Sequence, residues 1–205
     1  MSRLLLVRHG DTELNSAERY WGYSDIKLSA AGFRQAERLC DRLAMEKIDA
    51  IYSSNLSRAS VTAEIVASGH QLNVATCVEL REVNFGEIEG LTYAEVSQLY
   101  PEVAKLWVER SPKLQYPGGE SSDEFNNRVS KFLDRLKKHT LEETILIVAH
   151  SGVLRTLICQ LLGIELQHRW QIHLDFASLS ILETYPQGTI LSLLNDISHL
   201  REVGE

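Results

Sequence analysis

Two short runs of this chain are apolar from end to end, and both stop on a histidine. Leu4-Leu5-Leu6-Val7 leads into Arg8-His9-Gly10, and Ile145-Leu146-Ile147-Val148-Ala149 leads into His150-Ser151-Gly152. Apolar runs of this length read as buried strands. A buried strand in an α/β fold delivers the residues that follow it to the carboxyl edge of the sheet, where such folds bind ligands. The first run therefore brings a guanidinium and an imidazole to that edge, and Gly10 lets the backbone turn and come close to what sits there. Either histidine alone reads equally well as a hydrogen-bonded core residue. Two strands ending alike argue that both point into one site.

Strand signals fall at about 3–8, 48–52, 74–77 and 144–149, and helix signals at about 29–45, 56–69, 92–99, 102–109, 121–138 and 151–162. This alternation predicts right-handed crossovers, a mainly parallel central sheet and a three-layer α/β/α sandwich. The end of the chain differs. Ser178 to Tyr185 and Thr189 to Leu194 flank Pro186-Gln187-Gly188, the pattern of a C-terminal β-hairpin. Residues 84–120, punctuated by Pro101, Pro112, Pro117 and Gly118-Gly119, read as a helical cap insertion within a single domain spanning 1–205. Tyr93, Tyr100, Trp107 and Tyr116 in that insertion are candidates to meet a substrate, with core packing the plainer reading for each.

A second basic residue sits in a telling place. Tyr52-Ser53-Ser54-Asn55 precedes a helix starting near Leu56, and the Ser-Asn stretch is expected to cap it. Arg58 then falls in the first helical turn, where it opposes the helix dipole. An anion held between the helix N-terminus and Arg58 accounts for that placement; a solvated arginine is the alternative. The formal net charge of −7 disfavours a nucleic-acid partner and makes a convergence of Arg8 and Arg58 a local anion pocket set against the overall field.

With 205 residues the chain is long enough to bury a substantial core. It has no run of about 18 apolar residues and no signal-peptide pattern, so neither a membrane partner nor secretion is expected. Cys40, Cys77 and Cys159 are scattered and odd in number, which suits a cytoplasmic protein without a disulfide framework; Cys40 and Cys159 read as small core residues. His9-x-Asp11, His150 and His173-x-Asp175 are the residues a metal site would use, but a guanidinium beside His9 repels a cation, and no metal is expected. His70, His139, His168 and His199 stand in polar contexts and read as surface residues.

Taken in order, the motifs resemble the histidine phosphatase superfamily, with its phosphoglycerate mutase-like fold. They are Arg8-His9-Gly10 with Thr12 and Asn15; Gly22-x-x-Asp25-x-x-Leu28-Ser29-x-x-Gly32; Ser53-Ser54-x-Leu56-x-Arg58-Ala59; Glu82-x-x-Phe85-Gly86-x-x-Glu89-Gly90; Pro117-Gly118-Gly119-Glu120-Ser121; and His150-Ser151-Gly152. The resemblance spans about residues 3 to 195. It departs at Ala149-His150-Ser151, where many members have Ser-His-Gly.

The resemblance implies a phosphomonoester hydrolase working without a cofactor through a phosphohistidine. His9 would be the nucleophile, Glu82 the acid and base, and His150 a further catalytic residue. Arg8, Asn15, Arg58 and Ser151 would bind the phosphate, and Tyr93, Trp107 and Tyr116 would form the substrate cap. Glu87 and Glu89 compete with Glu82 on composition; the family motif favours Glu82. The compact chain is similar to the small phosphatase branch, and its tail to the α-ribazole-5′-phosphate phosphatases of cobalamin biosynthesis. A phosphoglycerate mutase, a broad-specificity sugar phosphatase and an inactive phosphate-binding module are the alternatives. The expected partner is a small-molecule phosphomonoester, with a homodimer left open.

Overall fold

The computed structural model describes residues 2–14 and 19–201. In chain order its elements are β1 (Ser2–Arg8), α1 (Ala30–Leu43), β2 (Ala50–Ser54), α2 (Ser57–His70), β3 (Val74–Cys77), α3 (Tyr93–Leu99), α4 (Pro101–Val108), α5 (Ser122–Leu136), β4 (Thr144–Ala149), α6 (Ser151–Leu162), β5 (Leu179–Tyr185) and β6 (Gly188–Asp196). The strands form one sheet in the order β3-β2-β4-β1-β5-β6. The first four run parallel; β5 and β6, the C-terminal hairpin, join antiparallel beside β1.

The apolar runs of β1 and β4 are buried on both faces, and the two-residue period of a strand divides them between two cores. Leu4, Leu6, Ile145, Ile147 and Ala149 pack with Phe125, Val129 and Phe132 of α5 and Val153, Leu157 and Ile158 of α6. Leu5, Val7, Leu146 and Val148 face the other way, against Leu39 and Leu43 of α1 and Ala59, Ala63 and Val66 of α2. This is the three-layer arrangement expected from the alternation. Burying each such aliphatic side chain is worth about 1.5–3 kcal/mol.

Three local expectations need correction. Strand β2 runs on to Ser54, not Tyr52, because Ser53 and Ser54 pair with β3 and are fully buried. The Ser-Asn stretch does not cap α2: Leu56 occupies the cap position, and Asp25 Oδ1 accepts from the Ser57 amide at 2.6 Å instead. Among the histidines read as surface residues, His139 is half-buried between the Tyr52 hydroxyl (2.8 Å) and Glu143 (2.5 Å). His199 is half-buried too, with Nε2 3.1 Å from the Ala177 carbonyl, and only His168 of the four is exposed. Cys159 is buried and Cys40 partly so.

Residues 84–120 carry α3 and α4. A capping box, Thr92 with Glu95, starts α3, and Pro101 starts α4. Trp107 of α4 is the hub of an aromatic cluster, 4.5 Å from Tyr20, 5.6 Å from Tyr116 and 6.0 Å from Phe85 between ring centres. No described helix is long and apolar enough to cross a membrane.

Candidate active site

Strands β1 and β4 are neighbours in register, Arg8 opposite Ala149, and the His9 amide donates to the Ala149 carbonyl at 3.0 Å. The two histidines that follow are therefore side by side, ring centres 5.0 Å apart and edge to face. They floor a cleft of about 250 Å³ lined by Arg8, His9, Arg58, Glu82, His150 and Ser151 together with Arg19, Arg155 and a wall of aromatics. The structure therefore brings Arg8, His9, Arg58, Glu82, His150 and Ser151, remote from one another in sequence, to one place. Asn15 lies outside the described residues.

The turn after β1 depends on glycine at a close approach. A Cβ on Gly10 would lie 2.6 Å from the Gly32 carbonyl oxygen at the start of α1, and one on Gly32 would lie 2.1 Å from the Asp11 carbonyl oxygen. The Gly10 amide donates to Thr62 of α2 at 3.2 Å, and Thr62 donates to the Arg58 carbonyl at 2.7 Å, so the turn is tied to the helix that carries Arg58.

The two imidazoles are wired differently. His9 Nδ1 lies 2.7 Å from the Gly10 carbonyl. A carbonyl only accepts, so Nδ1 carries the hydrogen. In the neutral ring Nε2 is then the bare nitrogen. His150 is held at both ends: Arg58 Nε–H donates to Nδ1 at 3.2 Å, and Nε2 lies 2.9 Å from Ser54 Oγ. An arginine only donates, so the hydrogen of neutral His150 is on Nε2. Burial, reinforced by the positive charge of Arg58 and Arg8, holds both imidazoles well below the usual histidine range.

Arg58 is 2% exposed, not solvated. It donates to the carbonyls of Ser24 and Gly22 at 2.8 and 2.7 Å as well as to His150. Arg8 donates to the Leu174 carbonyl at 2.6 Å, and its guanidinium lies 3.7 Å over the Phe176 ring. Burial pushes it down to about 10, with Glu82 opposing the shift. Each arginine keeps N–H groups free for an anion.

Glu82 is 8% exposed and accepts from the amides of Val83 at 3.0 Å and Gly152 at 3.1 Å. The carboxylate thus sits on the N-terminus of α6. A Cβ on Gly152 would lie 2.4 Å from Glu82 Oε1, so a larger residue there would displace the carboxylate. The competing glutamates are elsewhere. Glu89 accepts from the amides of Tyr23 and Ser24 at 2.5 and 2.8 Å, bracing the segment that Arg58 grips. Glu87 is exposed and takes the Tyr100 hydroxyl at 3.1 Å.

Of the three cap residues proposed from sequence, Trp107 lines the cleft. Tyr116 does not: it is 4% exposed, packed beneath Phe85 and Trp107 in the core. Tyr93 does not either; it is exposed, on the outer side of Trp107. Trp170 of the tail lines the cleft, and so do Tyr20, Trp21, Phe176 and Arg155, which the sequence reading does not single out. For Arg155 a signal existed, because it follows Ser151 by four residues and so shares its helix face. His173 and Asp175 contact each other at 3.0 Å on the surface, and among the described residues no group of three His, Cys, Asp or Glu side chains gathers as a metal site would require.

The whole architecture has counterparts. The profile of the histidine phosphatase superfamily (branch 1) matches residues 4–197, and the chain belongs to that superfamily, an enzyme of the phosphatase class. It is 36% identical over 202 residues to phosphoserine phosphatase 1 of Hydrogenobacter thermophilus, covering 98% of this chain and 96% of that one. It is 33% identical over 193 residues to the adenosylcobalamin/alpha-ribazole phosphatase of Escherichia coli, covering 94% and 95%. Among solved structures, the alpha-ribazole phosphatase of Shigella flexneri superposes with a TM-score of 0.88 at 33% identity over 95% and 96% of the two chains. A phosphoserine phosphatase mutant from Entamoeba histolytica in complex with phosphoserine gives 0.87 at 27% identity over 98% and 100%.

Proposed function

We propose that the protein hydrolyses a small-molecule phosphomonoester through a phosphohistidine on His9, without a metal. The observation that carries this reading is the Nδ1–H of His9 fixed on the Gly10 carbonyl. It leaves a neutral ring with Nε2 bare, between two arginines that match phosphate oxygens.

In the first step Nε2 bonds to phosphorus and the ester P–O bond breaks. Arg8 and Arg58 neutralise the non-bridging oxygens. The leaving oxygen takes a proton from the Glu82 carboxyl group. In the second step water attacks phosphorus, its proton passes to the Glu82 carboxylate, and the P–N bond breaks to release inorganic phosphate. His150, committed at both nitrogens, orients Arg58 and supports the His9 ring; Ser151 lines the phosphate end of the cleft.

The alcohol half is a separate question. The aromatic walls offer stacking faces to a ring such as that of α-ribazole 5′-phosphate. An uncommitted arginine in the cleft favours a smaller acid such as phosphoserine. The test of the reaction class is release of inorganic phosphate from p-nitrophenyl phosphate and a panel of phosphomonoesters, with and without EDTA. Turnover unchanged by chelation is expected. Activity lost on chelation and restored by a divalent ion contradicts the metal-independent reading. Interconversion of phosphoglycerates without phosphate release points to a mutase, and binding without turnover to an inactive module.

A further inference from the structure

The cleft holds more positive charge than one phosphate group needs. Among the described residues four arginines line it, Arg8, Arg19, Arg58 and Arg155, against Glu82 as the one lining carboxylate. Three have protein partners. Arg8 is anchored on Leu174, Arg58 on Gly22, Ser24 and His150, and Arg19 on the Gly90 carbonyl and the Glu95 carboxylate.

Arg155 differs. It is partly buried and makes no hydrogen bond or ion pair to any described residue, and its Nε–H is buried with no acceptor. Burial lowers its proton affinity while Glu82 supports the charge from nearby. It is the fifth residue of α6, whose N-terminus carries the Glu82 carboxylate. An unpaired guanidinium taken out of bulk water is costly to the free enzyme unless a bound group completes it.

Arg155, with Val83, Gly152 and Trp170, borders both the main cleft and a smaller recess lined by Tyr116, Phe125 and Arg169. That border adjoins Glu82, whose carboxylate accepts from the Gly152 amide. An alcohol half whose oxygen meets Glu82 enters the cleft beside that border, where Arg155 is the lining guanidinium without a partner among the described residues. The forked guanidinium matches a carboxylate.

We propose that Arg155 is a specificity-determining residue that binds a carboxylate on the alcohol half of the substrate, so that the preferred substrates are phosphomonoesters of small hydroxy acids. This rests on the phosphatase reading above and narrows it to a substrate class.

The experiment compares kcat and KM for matched esters: O-phosphoserine against O-phosphoethanolamine, and 3-phosphoglycerate against glycerol 3-phosphate. Wild-type, Arg155→Gln and Arg155→Lys proteins are assayed, each checked for folding by circular dichroism. The wild type is expected to favour the carboxylate-bearing member of each pair. Arg155→Gln should shrink that preference by about 10- to 100-fold, the scale of losing charge-assisted hydrogen bonds, mainly through KM. Arg155→Lys should restore part of it. Equal losses on both members, or no loss, overturn the inference while leaving the phosphatase reading in place; equal losses with a displaced pH profile would make Arg155 a positioning residue for Glu82. A folded wild-type protein inert toward every ester, p-nitrophenyl phosphate included, overturns the phosphatase reading and with it the ground for this one.

Discussion

His9 and His150 sit side by side at the ends of neighbouring parallel strands, each after an apolar run and each before a turn. Their surroundings separate them. At the end of β1 the imidazole is pinned through one nitrogen by its own neighbour's carbonyl, and the other nitrogen is uncommitted. At the end of β4 both nitrogens are taken, one by Arg58 and one by Ser54. The difference arises from elements remote in sequence: α2 supplies Arg58 and β2 supplies Ser54. In the mechanism we propose, one strand end attacks phosphorus and the other holds the apparatus, although a local sequence window makes them twins.

The division assigns the proton to the β4 end, because Glu82 rests on the first turn of α6. The largest effect expected is therefore that of Glu82→Gln, a fall in turnover of about 10²–10⁴ for a poor leaving group. The fall should be smaller for p-nitrophenyl phosphate, which needs little protonation, if phosphorylation of His9 limits the rate. If hydrolysis of the phosphoenzyme limits instead, both substrates should suffer alike and the intermediate should accumulate. Glu87→Gln and Glu89→Gln should cost less. A larger defect in a folded Glu87 or Glu89 variant would move the proton away from the β4 end and break the comparison.

A smaller effect concerns both rings at once. Burial and the neighbouring arginines keep His9 and His150 neutral in the folded protein, and burial acts likewise on His199, whereas the unfolded chain titrates near 6.5. Below that pH the unfolded state binds protons that the folded state refuses. Stability is therefore full above about pH 7.5 and falls as the pH drops through about 6.5. The melting temperature should decline between about pH 7.5 and about pH 5.5, before most carboxylates titrate. The decline should be shallower in His9→Asn. A flat profile would mean that the imidazoles are charged or exposed.

How far the sequence speaks follows the same boundary between local and remote. The apolar runs of β1 and β4 announce a buried sheet because burial on both faces leaves its mark residue by residue. The strand ends announce the site because the sheet's carboxyl edge is fixed by chain direction. Ser53 and Ser54 were harder. Buried serines mimic a loop in composition, and only their pairing and the His150 contact reveal strand β2. The cap of α2 was missed for a related reason, since Asp25 reaches it from 32 positions away. Trp107 and Tyr116 look alike as cap aromatics, yet one faces the cleft and the other the core, because the turn through Pro117 and Gly119 draws Tyr116 inward; its amide meets the Glu120 carbonyl at 3.2 Å. Arg155 was legible through its spacing from Ser151, but nothing local says that it lacks a partner.

The most direct test of the difference between the two strand ends is to locate the phosphoryl group. Wild-type, His9→Ala and His150→Asn proteins are mixed briefly with a labelled phosphomonoester, quenched and mapped by peptide. The account predicts an acid-labile, alkali-stable adduct on His9 in the wild type, its absence in His9→Ala, and slower formation on the same residue in His150→Asn. Label on His150, or undiminished labelling of His9→Ala, would contradict it.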